Sequence, residues 1–211
     1  MGAESRRERA AATQQQLLDA ARDVFAERGY QGTSVAAITD AASTAHGTFY
    51  LYFRNKEDVF GQLTASAMEE LYRHTLTTLD PETHVYDPEV ARLRVAGFMQ
   101  VAVEYGPLWK ALLEAILVSP TIAEQWLGYR TKFHQGLADR LRIYQGRGEF
   151  RDLDPDLTAA ALASMLEWLV FTSASFGVPA PLTYDQRFID TVAELWRSAV
   201  DIRPGAGGDP H

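Results

Sequence analysis

Apolar residues recur at three- and four-residue intervals along almost the whole chain, and no stretch alternates with a period of two long enough to argue for a strand. This confines the fold to packed helices: an all-α chain of about nine helices with short connections. Three helices share one start signal, a capping side chain followed by proline: Asp87-Pro88, Ser119-Pro120 and Asp154-Pro155. Proline suits the first helical position because its missing N–H would be unpaired there anyway. Gly106-Pro107 breaks the first of these helices in two, and the second stops at Gly146.

Upstream, Thr13 and Gln16 have the spacing of a capping box, followed by Leu17, Leu18, Ala21, Val24 and Phe25, with Gly29 free to take the left-handed conformation that ends a helix. Thr33 is expected to cap a short second helix carrying Val35, Ile38 and Ala41, and a third short helix runs to about Leu51. Asn55 caps a fourth, with Glu57 and Asp58 in its first turn and a stripe of Phe60, Leu63, Ala67, Leu71 and Leu79. Residues 80–87 read as a loop. The helix after Asp154 is apolar nearly all round, Gly177, Pro179 and Pro181 turn the chain, and Thr183 with Gln186 opens a last helix. The expected organisation is a disordered arm over 1–12, a helix-turn-helix module over 13–58, a larger helical module over 59–203 and a disordered tail over 204–211.

Composition bounds the function. Of 211 residues 46% are hydrophobic, enough for a buried core, and no run approaches the ~20 apolar residues of a membrane span. The polar segment from Met1 to Ala12 is no secretory signal. The absence of cysteine excludes disulfides and thiolate chemistry and fits a cytoplasmic location. The net charge of −8 counts against a general affinity for nucleic acid. Residues 1–60 are near neutral, however, with Arg6, Arg7, Arg9, Arg22, Arg28, Arg54 and Lys56 set against eight carboxylates. DNA affinity would then need local placement of cations and of helix N-termini, plus dimerisation.

The segment Thr33 to Phe53 holds two short helices about three residues apart, the pattern of a helix-turn-helix whose second helix enters the major groove. Gly47 and Thr48 are small enough for close backbone approach, and His46, Thr48 and Tyr50 carry hydrogen-bonding tips, while Phe49 and Phe53 point inward. The ordered pieces Phe25-Ala-Glu-Arg-Gly-Tyr30, Thr33-Ser-Val35, Gly47-Thr-Phe-Tyr50, Tyr52-Phe53 and Asn55-Lys-Glu-Asp58 resemble the DNA-binding domain of TetR-family regulators.

The resemblance implies a double-stranded operator as partner, contacted by Thr33, Ser34, Thr44, His46, Gly47, Thr48, Tyr50 and Lys56. Tyr50 and Lys56 would bind phosphates, and Arg6, Arg7 and Arg9 would reach a neighbouring minor groove. It also implies a homodimer, repression by family habit, and a small-molecule effector. One departure stands out. The family usually has Gly-Val-Ser across the turn, where this chain has Ser43-Thr44-Ala45. Ser43 is then strained or the turn differs, and Thr44 takes over the cap that Ala45 cannot supply.

Candidates for an apolar or amphipathic effector pocket are Phe98, Trp109, Leu113, Trp126, Tyr129, Phe133, Met165, Glu167 and Trp168, although aromatic stripes at helical spacing are more often plain core. Glu114 and Glu167 lie in strongly apolar sequence; each reaches the surface, pairs with an arginine, or anchors a ligand. Phe171, Phe188, Val192, Leu195, Trp196 and Ala199 are candidates for a four-helix dimer interface. Asp152, Asp154 and Asp156 imitate a calcium loop, but Leu157 and Ala163 stand where it needs glycine and glutamate. No histidine pair has ligand spacing and no nucleotide-binding or hydrolase motif occurs, so neither metal, cofactor nor catalysis is expected. The alternatives are an all-α enzyme, or a helical ligand-binding protein without DNA binding.

Overall fold

The computed structural model describes residues 2–77, 87–176 and 184–200, which form nine helices with no strand among them. They are α1 (Gly2–Gly32), α2 (Val35–Ala41), α3 (His46–Phe49), α4 (Lys56–Thr77), α5 (Pro88–Glu104), α6 (Gly106–Val118), α7 (Pro120–Gly146), α8 (Pro155–Phe176) and α9 (Gln186–Val200). Leu79, the loop up to residue 86, the turn at Gly177, Pro179 and Pro181, Thr183 and the tail lie outside the described residues.

The proline-marked starts are capped as their chemistry requires. Asp87 Oδ1 accepts from the N–H of Glu89 at 2.9 Å, Ser119 Oγ from Ile122 at 3.1 Å, and Asp154 Oδ1 from Asp156 at 2.9 Å. Asn55 Oδ1 accepts from Asp58 N–H at 2.8 Å and opens α4. Each such cap contributes about 1 kcal/mol.

The starts of α1 and α9 differ from expectation. Thr13 does not cap α1: its hydroxyl donates to the Arg9 carbonyl at 3.0 Å, in mid-helix. The segment 2–12 is helical rather than a disordered arm, because its alanines, arginines and glutamates are strong helix formers with nothing to stop them. At α9, Asp185 Oδ1 accepts from Phe188 N–H at 3.0 Å and so caps this helix.

The described residues gather into two compact units. The first holds the chain up to Glu70 together with Glu104–Tyr129 and Ala174–Phe176; the second holds Leu71–Val103, Arg130–Ser173 and α9. In the first unit α1 packs mainly on α6 and also on α2, and α2 packs on α3. Its core is Leu17, Ala21, Phe25, Ile38, Phe49, Phe53, Val59, Phe60 and Leu112. Phe25 meets Phe60 edge-on at 4.6 Å between ring centroids, and Tyr30 lies 5.0 Å from Phe60. Burying each such ring contributes about 1.5–3 kcal/mol, which a module this small needs.

The second unit buries Val95, Phe98 and Met99 of α5, Phe133, Leu137, Leu141 and Tyr144 of α7, Leu162, Leu166 and Val170 of α8, and Val192 and Trp196 of α9. The apolar residues of α9 fall on one side, so this helix shows one wet and one buried face.

Candidate nucleic-acid interface

The helix-turn-helix is braced from α1. Gln16 Nε2 donates to the Ala42 carbonyl at 2.8 Å and so satisfies a group at the C-terminal end of α2. α2 starts one residue later than the sequence suggested. Its cap is Ser34, whose Oγ accepts from Ala37 N–H at 3.2 Å. Thr33 is buried instead, and its hydroxyl donates to the Gly29 carbonyl at 2.7 Å.

The turn confirms one expectation and corrects another. Ser43 sits at φ 50°, the left-handed conformation that glycine adopts without penalty. It is held there by Ser43 N–H to Asp40 O at 3.1 Å and Thr44 N–H to Thr39 O at 3.0 Å. Thr44 does not replace the missing cap. The N-cap of α3 is Ala45, which has no side chain able to accept, and the Thr44 hydroxyl is buried without a hydrogen-bond partner.

α3 is a single turn, His46–Phe49, extended to Phe53 by tight hydrogen bonds such as Tyr52 N–H to Phe49 O at 3.0 Å. Phe49 and Phe53 anchor it, fully buried. What remains outside is Ala45, His46, Gly47, Tyr50 and Leu51, with Thr48 half-buried. The His46 and Tyr50 rings lie 5.3 Å apart, one helical turn from each other. A side chain at Gly47 would meet nothing within 4 Å, so the glycine is not needed for internal packing. Leu51, 79% exposed on this face, escaped the sequence reading because an apolar residue in a helical segment reads as core.

A polar cluster is centred on Tyr30, at the end of α1. α1 breaks at Gly29, at φ 71°, which frees the N–H groups that follow. Glu114 on α6 accepts from Tyr30 N–H at 2.9 Å and from Gln31 N–H at 3.4 Å. Lys56 donates to the Tyr30 carbonyl at 2.8 Å and to the Thr33 carbonyl at 3.0 Å, and its ammonium stands 4.6 Å from the centre of the Tyr30 ring. The ammonium therefore turns inward and keeps one of its three donors for another partner. Burial pushes its pKa down. Burial and the neighbouring Glu57 push the Tyr30 phenol up. Glu57 also accepts from the hydroxyl of Ser119 at the start of α7. Glu114, Glu57 and Ser119 were not picked out as neighbours of this site, because their partners are distant in sequence.

Arg6, Arg7 and Arg9 are exposed on α1 rather than on a free arm. Arg54, 88% exposed, pairs with Asp58 at 3.3 Å. The Arg54 N–H and guanidinium together hold the Asp58 carboxyl below the usual range.

The effector candidates divide between the units. Trp109 is buried and Leu113, Trp126 and Tyr129 are half-buried in the first, where Tyr129 donates to Glu69 at 3.4 Å. Phe98 and Phe133 are buried in the second and Met165 is half-buried there; Tyr72 stacks on Phe133 at 4.3 Å. Glu167 is buried and paired: Arg130 Nε donates to it at 2.7 Å, Tyr72 OH at 3.3 Å, and Arg130 Nη2 donates to Ser164 at 2.7 Å. Trp168, at 64% exposure, faces outward from α8.

Among the dimer candidates, Phe171, Val192 and Trp196 are buried within their own unit, Phe188 and Ala199 are half-buried, and Leu195 is 55% exposed.

Residues 17–63 match the model of bacterial regulatory proteins of the tetR family. The chain is 31% identical over 158 residues to the HTH-type transcriptional repressor DhaR of Mycobacterium sp. (strain GP1), covering 69% of this chain and 74% of that protein. It is 47% identical over 53 residues to the fatty acid metabolism regulator protein of Bacillus subtilis (strain 168), a match that spans 25% of this chain and 27% of that one. The solved fatty acid degradation regulator FadR from Bacillus halodurans aligns with a TM-score of 0.71 at 26% identity, over 88% of this chain and 94% of that one.

Proposed function

The chain belongs to the TetR family of bacterial regulatory proteins, and from that premise we infer how its face at α3 is used. It is a DNA-binding transcriptional regulator and not an enzyme. Regulators of this family bind operator DNA and small-molecule effectors, typically as dimers.

The DNA contact we propose is made by His46, Gly47 and Thr48 against base edges and by Ser34 and Tyr50 against phosphates, with the spare donor of Lys56 completing the set; Thr44, its hydroxyl buried and its N–H bonded to the Thr39 carbonyl, shapes the turn that presents them. Thr33 serves by holding the end of α1. The observation that carries this reading is the outward face of α3: His46, Gly47 and Tyr50 are exposed on a turn whose Phe49 and Phe53 are locked in the core. A short rigid element with small and hydrogen-bonding residues outside is what a groove about 12 Å wide admits. Two copies held about 34–36 Å apart read the two halves of a palindrome. Trp168 of α8 and Leu195 of α9, both exposed, belong to the proposed dimer face.

The effector site we propose lies in the second unit around Phe98, Phe133 and Met165, and takes an amphipathic molecule. Two of the relatives are regulators of fatty acid metabolism or degradation by name, which favours this chemistry. Binding shifts the population between two settings of α4 and so releases the operator, making the protein a repressor.

The test is a gel shift on the DNA flanking the protein's own gene, titrated with salt. Binding should be tight at low salt, and its logarithm should fall linearly with log salt. A folded, dimeric protein that binds no such DNA at low salt contradicts the reading.

A further inference from the structure

Arg94 on α5 is only 8% exposed. Its Nε and Nη2 are enclosed and neither meets a hydrogen-bond partner. These two nitrogens form one edge of the guanidinium, the edge that grips two oxygens of a carboxylate or phosphate side by side. Arg130, in the same unit, shows that edge in use, with Nε on Glu167 and Nη2 on Ser164, both at 2.7 Å.

Among the described residues no side chain engages that edge of Arg94 in the same way. Tyr144, itself buried, sets its hydroxyl beside the guanidinium, where it favours the charged form, but it brings no full negative charge at neutral pH. Arg140 adds a second positive charge. Asp87 acts on Arg94 through its field, and one of its oxygens, Oδ1, is taken by the N–H groups of Glu89 and Val90 at the start of α5. A buried charge without a partner is costly, and a guanidinium cannot escape by losing its proton. An anion that enters relieves that cost.

We propose that Arg94, with Tyr144 and Arg140 beside it, is the anion anchor of the effector site and takes the carboxylate or phosphate head of an amphipathic ligand. The apolar part of that ligand lies along Phe98, one helical turn from Arg94, and along Leu137 and Leu141 of α7. The assignment rests on the effector reading above and narrows it to one chemical class.

Thermal shift and calorimetry on the full-length protein at pH 7.5 test it with four probes: dodecanoate, dodecyl phosphate, 1-dodecanol and inorganic phosphate. The two dodecyl anions should bind about tenfold or more tighter than the alcohol, as charge-assisted hydrogen bonds at a buried site require. Arg94→Met should erase that preference and raise the melting temperature of the unliganded protein. Arg94→Lys, which keeps the charge without the fork, and Tyr144→Phe should each reduce the preference in a folded protein. Equal affinity for dodecanoate and dodecanol, unchanged in Arg94→Lys, overturns the anchor while leaving an apolar effector site standing. Inorganic phosphate binding as tightly as the dodecyl anions overturns the amphipathic assignment. No response to any dodecyl probe counts against the effector reading as well as the anchor.

Discussion

The carboxylate of Glu114, midway along α6, accepts a hydrogen bond from the backbone N–H of Tyr30 at 2.9 Å, just where α1 breaks at Gly29. A side chain at Gly29 would come within 2.5 Å of the Glu114 oxygen, and the glycine already sits at a positive φ. Position 29 is therefore closed twice, by conformation and by space. Glu114→Gln should cost about 1–2 kcal/mol of stability, since a charged acceptor of two N–H groups becomes neutral. Gly29→Ala should cost at least about 1 kcal/mol more. Urea denaturation of the two variants checks the order.

The turn before α3 is under-optimised for stability. Ser43→Gly removes the left-handed penalty and should add about 0.5–1 kcal/mol. Ala45→Ser supplies the absent cap and should add about 0.5–1 kcal/mol. Each is measured singly by melting temperature, because residues this close need not act additively. A loss of stability in either variant contradicts the strain assigned here.

How far the sequence could be read depended on whether the deciding partner was local. Asp87, Ser119, Asp154 and Asn55 cap helices as expected, because a cap and its N–H are three residues apart at most. Thr13 misled because the box pattern took no account of the helix-forming alanines and arginines before it. Lys56 was expected to face outward; the carbonyls that draw it in belong to Tyr30 and Thr33, more than twenty positions away in sequence. α8 is apolar nearly all round, so periodicity could not tell that Trp168 faces out while Glu167 faces in. The phenylalanines at 49 and 53 were legible, because a one-turn helix has only one side to bury.

Burial pushes the His134 imidazole below its ordinary value of 6.5, with Arg130 adding to the effect and Glu167 opposing it. The unfolded chain then takes up this proton before the folded one does. Stability is complete above pH 6.5 and falls as the pH drops through 6.5 towards the depressed folded value. His134→Asn should flatten the decline between pH 6.5 and 5, read from urea midpoints. A wild type whose midpoint rises on acidification over this interval contradicts the sign.

Tyr50 and Lys56 separate binding from folding. Tyr50 is 52% exposed and its hydroxyl makes no hydrogen bond among the described residues, so Tyr50→Phe should change stability by less than about 0.5 kcal/mol while weakening DNA binding across sequences. Lys56→Met should lose about 1–2 kcal/mol of stability, because two buried carbonyls and the Tyr30 ring lose their cation. Unchanged DNA affinity in Tyr50→Phe removes that residue from the interface.

The most direct measurement is hydroxyl-radical footprinting on the DNA flanking the gene, with the wild type and with His46→Ala. α3, presented twice by a dimer, should leave two protected patches about 34–36 Å apart, centred on the halves of a palindrome, and His46→Ala should weaken both equally. A single patch, or two patches indifferent to position 46, contradicts the account.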